Sequence, residues 1–380
     1  MIRRLVALIA FASLTGGAAL VNGQRPEEAN ADAGRDRRDR EVVRITTLKE
    51  DGGRVDWSHR NNLIAFDRLG KDDFLDVYTM RPDGSDERCL TCDKPGAPSK
   101  HMGNPAWHPS GEYIVFQAQN TFRGLGKITD YFANSGAGVN NDLWVMDANG
   151  TRFWPLTKLE PRVGGVLHPH FSHDGRRLFW AQKIAIGGGK YGTWTLRVAD
   201  FSFVDGTPRL TNERVMQPGH QKKMYESDEF TQDGRQILFS GNLERRQAEK
   251  NADIYLMDLE TQRLTNLTNS QDQGDEHAHI SPDGRTIVWT TSTGQREKLN
   301  EMHPVIDFWL MNIDGSNKRR LTYFNEPGQP EYIKGGVAPA DNSWGPDGRI
   351  VAYVLTNVKR GGKIVMIELG KPRSPDSGSR

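Results

Sequence analysis

The sequence predicts an all-β fold, a six-bladed β-propeller with four antiparallel strands per blade, and three observations predict it. Six related segments recur along the 380 residues, opening at Trp57, Trp107, Phe171, Phe230, Ile280 and Trp344, with spacings of 50, 64, 59, 50 and 64. In each segment an aromatic side chain stands nine positions after the first residue, at Phe66, Phe116, Trp180, Phe239, Trp289 and Tyr353. Five of the six close on a Leu-Thr pair, at Leu90, Leu156, Leu210, Leu267 and Leu321. Repeats of this length, each holding several short strands, are the mark of blades arranged about an axis.

Each element of a blade has its own signal. The first strand ends in the large apolar residue and leads into a polar turn such as Pro109-Ser110-Gly111 or Pro282-Asp283-Gly284. Asp and Gly adopt the backbone conformations of a tight turn at little cost. A second strand follows, as in Tyr113 to Phe116 and Thr286 to Trp289. The third is seen in Val77 to Met80, Leu143 to Met146, Ile254 to Met257 and Phe308 to Met311, and it precedes a second turn at Asp83-Gly84, Asn149-Gly150 and Asp314-Gly315. The Leu-Thr pair reads as the fourth, outer strand. The sixth segment lacks that pair, and residues 42–48 (VVRITTL), β-branched and carrying Ile45-Thr46, are expected to join the last blade and close the ring.

The organisation that follows is a signal peptide at 1–23, a charged linker at 24–40, one propeller domain at 41–370 and a polar tail at 371–380. Arg3 and Arg4 precede an apolar run from Leu5 to Leu14 and small residues up to Gly23, the pattern of an export signal. Gly16 and Gly17 interrupt a run too short to span a bilayer, so no membrane span is expected after cleavage. Fifty basic residues against 49 acidic ones leave a net charge of +1, which supplies no general field for nucleic acid. The two cysteines, Cys89 and Cys92, are expected to form a disulfide if a turn brings them together, or to remain inert thiols.

The pattern W-S-P-D-G, I-A-F, I-Y-V-M-D, L-T resembles the repeat of the TolB family of periplasmic propellers, most clearly in ISPDGRTIVWTTS from Ile280 and DIYLMD from Asp253. The resemblance implies the propeller scaffold; with the export signal and the loop-bearing face, the chain is expected to be a periplasmic or secreted monomer that binds a cell-envelope protein or a glycan. No G-x-S-x-G motif marks a serine hydrolase.

Loops between second and third strands, and links between blades, emerge at the end where the inner strands begin. The longest insertions, Gln117 to Asn141 and Thr290 to Asp307, fall there, as do the links Asn212 to Glu229 and Tyr323 to Ser343. The first of these carries Phe122, Arg123, Lys127, Tyr131 and Phe132, which read as a lid or gripping loop, or as an ordinary rim loop. At the same end the inner strands carry His168-Pro169-His170, Glu226, Asp228, Glu229, Asp275 to His279 and Asp341, while His101 and His220 lie in links.

The candidate binding residues at this channel mouth are His168, His170, Glu229, His277, His279 and Asp341. Residues two apart on a strand share a face, so each H-x-H is expected to offer two imidazoles to one ion. A divalent metal held by His168, His170, His277 and His279 is the sharper expectation, and hydrogen bonding between blades is the plainer one. His168-Pro169-His170 is similar to the funnel histidines of oligogalacturonate lyases, although Val166 and Leu167 stand where those enzymes carry a glutamine. Two functions follow: a binding module, or a metal-dependent lyase or hydrolase of acidic oligosaccharides.

Overall fold

A computed structural model describes residues 41–121, 130, 132–161, 163–187, 192–220, 224–270, 272–294, 305–356 and 362–370. The expected signal peptide, linker and tail lie outside them, as do Phe122, Arg123, Lys127 and Tyr131. Every element in the described residues is a β-strand. β1 (Val42–Gly52) comes first. Blade 1 is β2 (Val55–Ser58), β3 (Leu63–Leu69), β4 (Leu75–Met80) and β5 (Arg88–Cys89). Blade 2 is β6 (Met102–Trp107), β7 (Tyr113–Gln119), β8 (Asn141–Asp147) and β9 (Phe153–Pro155). Blade 3 is β10 (Gly165–Phe171), β11 (Arg177–Ala185), β12 (Thr193–Val204) and β13 (Thr207–Met216). Blade 4 is β14 (Tyr225–Phe230), β15 (Gln236–Gly241), β16 (Asp253–Asp258) and β17 (Leu264–Asn266). Blade 5 is β18 (Asp275–Ile280), β19 (Thr286–Thr291), β20 (Asp307–Asn312) and β21 (Arg319–Arg320). Blade 6 is β22 (Val337–Trp344), β23 (Ile350–Thr356) and β24 (Gly362–Leu369), with β1 as its outer strand.

All pairings are antiparallel, and β1 meets β24 with Ile45 opposite Ile367 and Thr46 opposite Met366. The strand expected at 42–48 runs on to Gly52. The chain is therefore a six-bladed propeller with four strands in every blade.

The aromatic at offset nine is buried in every blade, from 0% exposed at Phe66, Phe116 and Phe239 to 5% at Tyr353. In blades 1 to 5 it packs in the cluster between neighbouring sheets; in blade 6 the turn is one residue shorter, with Trp344 opposite Ile350, and Ala352 takes that interface position. Six apolar clusters result, one at each blade interface. The last joins Val351, Ile364 and Met366 of blade 6 to Val55, Trp57 and Phe66 of blade 1. Turn glycines hold the blades close: Gly150 has φ 63°, and a Cβ there would stand 2.1 Å from the Leu90 carbonyl oxygen of blade 1. No other residue fits both demands without strain.

The Leu-Thr signature has a different basis from the one expected. In four blades the pair lies just past the outer strand, and the threonine works as a clasp. Thr91, Thr157, Thr268 and Thr322 each donate to an aspartate at the head of the third strand, Asp76, Asp142, Asp253 and Asp307, at 2.7–3.0 Å. Each hydroxyl also accepts the backbone N–H of the next residue, Val77, Leu143, Ile254 or Phe308. Beside the first clasp, Cys89 and Cys92 form a disulfide with Cα atoms 5.7 Å apart, well short of an extended spacing.

Candidate functional site

Aligning the repeats on their first residue shows what faces the axis. Three positions earlier stand Arg54, Asn104, His168, Ser227, His277 and Asp341; one position earlier stand Asp56, Ala106, His170, Glu229, His279 and Ser343. Between these two positions the inner strands of blades 2 to 6 carry register shifts, as at Leu167/His170 and Glu276/His279. Asn104, His168 and His277 sit in the left-handed region there, with φ 50°, 48° and 56°. A bulge of this kind re-aims side chains and breaks the simple alternation of a strand.

The consequence is that each H-x-H divides between two levels. His168 meets His277 with ring centroids 5.4 Å apart, and His170 meets His279 at 5.2 Å. These pairs link blades 3 and 5, which flank blade 4, so they meet in the channel in front of blade 4. In the described residues, the ligand atoms of His168, His277 and Asp341 lie within 4.8 Å of one another, and so do those of Glu226, Glu276 and His277. His170 and His279 join neither set.

The level one position before the repeat start ties blades together. Glu229 accepts the Ile280 N–H at 2.7 Å and stands 3.7 Å from His279. Asp56 accepts the Trp107 N–H at 2.6 Å and the Ser343 hydroxyl at 3.0 Å, while Ser343 accepts the Trp57 N–H. The other level is less satisfied. Asp341, 6% exposed, has its Oδ1 3.4 Å from His168 Nδ1, and its Oδ2 3.5 Å from Arg54 Nε. Asp341 Oδ2, Arg54 Nε, Asn104 Nδ2, Asn342 Oδ1 and Glu226 Oε2 are all buried without a hydrogen-bond partner.

Ser135, in the described part of the loop leading into β8, reaches Arg54. Ser135 accepts from Arg54 Nη1 at 3.2 Å and donates to Asp67 Oδ2 at 2.7 Å; the same Asp67 oxygen accepts the Asn104 N–H. Ser227 is small enough to let blades 3 and 5 converge and donates to the backbone oxygens of Leu167 and His168.

The electrostatics follow from burial and these partners. Burial opposes ionisation of Asp341, but Arg54, His277 and His168 outweigh it and hold the carboxyl well below its usual range. Burial alone would depress His168, yet its contact with Asp341 and the charge of Glu226 raise it, while burial lowers His277 despite the same carboxylates. His170 is driven well down by burial and by His279 and His168; His279 is raised, because Glu229 offsets its burial. Burial raises Glu276 well above an ordinary glutamate, helped by Glu226 and Asp228, and pushes Asp228 up to about 7.

Of the residues expected from sequence, His168, His277 and Asp341 come together, His170, His279 and Glu229 form the second level, and His101 has a structural place. Its Nδ1 accepts the Leu75 N–H at 3.1 Å. His220 is exposed. Arg54, Asn104, Asp67 and Ser135 complete the site without having been singled out. The offset of three residues before each repeat start would have found Arg54 and Asn104; Ser135, deep in a loop, has no comparable signal.

A propeller of six four-stranded blades with a buried, polar channel mouth defines the class. Its fold is TolB-like. The structure matches a protein described as TolB from Agrobacterium tumefaciens with a TM-score of 0.53 and 17% identity, over 80% of this chain and 90% of that one. A gluconolactonase from Xanthomonas campestris matches with a TM-score of 0.52 and 11% identity over 86% and 90%. An oligogalacturonate lyase in complex with manganese matches with a TM-score of 0.49 and 10% identity over 86% and 93%. No protein-family profile matches the sequence. At these identities the likeness is one of fold.

Proposed function

We propose that the protein is an exported, envelope-associated binding module that holds a protein segment or a glycan at the channel mouth. One observation carries this reading: on the inner strands that hold Asp341 and its neighbours, Asn104 Nδ2, Asn342 Oδ1 and Glu226 Oε2 are buried without a hydrogen-bond partner, and Arg54 Nε faces Asp341 Oδ2 only at 3.5 Å. Each such group costs roughly 1–3 kcal/mol when left unpaired. Donors and acceptors side by side match amides or hydroxyls, which offer both. The apolar run behind Arg3 and Arg4 supports export, and no helix in the described residues is long and apolar enough to cross a membrane.

Calorimetric titration with N-acetylated oligosaccharides, oligogalacturonates and an unstructured peptide pool tests the reading. Saturable binding by one class, weakened about tenfold by Asn104→Ala, a loss of roughly 1.4 kcal/mol, is the expected result. Absence of binding by all three would sink it.

The second reading is a metal-dependent lyase or hydrolase of acidic oligosaccharides. The position of Arg54, 3.5 Å from Asp341 and beside His168 and His277, favours it, since a cation and a guanidinium together suit a sugar carboxylate. Turnover of oligogalacturonate by the purified protein, abolished in His277→Ala, would replace the first reading by this one.

A further inference from the structure

We infer that the channel mouth is a transition-metal site whose protein ligands are His168, His277 and Asp341, with the open side of the ion turned towards an anionic ligand held by Arg54 and Asn104. The inference deepens the binding reading and rests on it only for that ligand.

The spacing of the donors is the first support. A charged hydrogen bond between imidazolium and carboxylate closes to about 2.7–2.9 Å. His168 Nδ1 and Asp341 Oδ1 instead stand 3.4 Å apart. Bonds of about 2.0–2.2 Å to one ion place neighbouring ligand atoms about 3–3.5 Å from each other. The pair therefore has the separation of two ligands better than that of a closed hydrogen bond, and His277 lies within the same 4.8 Å set.

Burial is the second. Asp341, His168 and His277 are 6%, 5% and 9% exposed, and Asp341 Oδ2 makes no closed hydrogen bond, with Arg54 Nε at 3.5 Å. The ligands come from blades 3, 5 and 6, so their convergence is a property of the closed ring and not of any one hairpin. Two imidazoles and one carboxylate leave coordination positions open and suit manganese, iron or zinc; calcium and magnesium call for an oxygen shell.

The rest of the ring supplies the third. The remaining large side chains at the same repeat position are Arg54 and Asn104; Asn104 presents an unpartnered buried N–H, and Arg54 Nε stands 3.5 Å from Asp341 Oδ2, short of a closed hydrogen bond. Donors opposite a cation select an anion such as a carboxylate, which places one oxygen on the metal and another on the guanidinium. The acidic set Glu226, Glu276 and His277 competes for the shared imidazole and is the alternative the test must separate.

Chelator-treated protein is incubated with manganese, zinc or calcium chloride, desalted, and assayed for metal by inductively coupled plasma mass spectrometry. The expected result is about one manganese or zinc per chain, weakened by His168→Ala and by Asp341→Asn but not by His170→Ala. Since loss of even a group supporting a metal ligand costs roughly 10–100-fold, the two ligand variants should fall at least tenfold. Electron paramagnetic resonance of the manganese form of the unaltered protein, showing imidazole nitrogen couplings, needs no variant to fold. Absence of retained metal, absence of nitrogen couplings, equal loss in His170→Ala, or calcium binding that depends on Glu276 and not on His168 would each overturn the inference. Oligosaccharide or peptide binding that persists in the metal-free protein would leave the binding reading standing without the metal.

Discussion

Asp228 and His101 are buried ionisable side chains that titrate in opposite senses. Asp228 is 2% exposed and accepts from Ser240 at 2.9 Å; burial, with the charge of Glu226, raises it to about 7 against the opposing charges of His279 and His168. An acid whose folded value lies above its unfolded one holds its proton longer when folded, so it lowers stability as pH rises from about 4 to about 7. In chelator-treated protein, Asp228→Asn should match the parent near pH 4 and exceed it near pH 8 by on the order of 2–4 kcal/mol in urea unfolding. His101 is 7% exposed, and burial lowers it to about 4. Its contribution is intact above about pH 6.5 and is lost as pH falls towards 4, because the unfolded chain takes the proton first. His101→Asn, which can still accept the Leu75 N–H, should flatten that loss, worth up to about 3 kcal/mol. A histidine or carboxylate announces itself in a sequence, so His168, His277 and Asp341 were legible there. Their separation from His170 and His279 was not, because it depends on left-handed φ angles at His168 and His277 that no spacing rule encodes.

At the scale of the element, the Leu-Thr signature shows how a correct repeat can be read for the wrong reason. The pair marks the end of a blade because leucines such as Leu90, Leu267 and Leu321 are buried and the threonine clasps an aspartate, while the outer strands themselves are as short as Arg88–Cys89 and Arg319–Arg320. Blade 3 departs from the rule. Thr195 stands where the others place their aspartate, its hydroxyl donates to the Gln182 carbonyl, and its outer strand β13 lengthens to ten residues that pair along β12. Backbone pairing there takes over what the clasp does elsewhere. Thr322→Val should therefore cost roughly 1–3 kcal/mol, since the buried Asp307 and the Phe308 N–H both lose a partner. Thr211→Val in blade 3 should stay within about 0.5 kcal/mol, because Thr211 is exposed on its strand. Chemical denaturation of both variants checks the contrast, and equal losses would show that the clasp contributes nothing specific.

For the whole molecule, the constraint is that six sheets must each find two neighbours. The six repeat starts and the buried offset-nine aromatics made that arrangement readable from the sequence, as did the missing outer strand of the sixth repeat. The polar channel was less readable, since it is assembled from one or two residues of every blade and from Ser135 in a distant loop. Closing the sixth sheet with β1 couples the start of the propeller to its end: Val42 and Ile45 pack on the cluster of blades 5 and 6, and Leu48 on that of blades 6 and 1. Arg319 of blade 5 also pairs with Glu41. Removing residues 1–52 would uncover β24 along seven paired positions and expose an unpaired edge, the template on which sheets aggregate. The shortened chain should unfold at a temperature lower by roughly 5 °C or more, or accumulate as oligomers in size-exclusion chromatography with light scattering. Because His277 and Asp341 are held by blades 5 and 6 while Arg54 is held by blade 1, it should also lose ligand binding at the mouth. A shortened chain that stays monomeric, melts at the parent temperature and keeps its ligand would show that three strands suffice for the sixth blade and that β1 is dispensable to the ring.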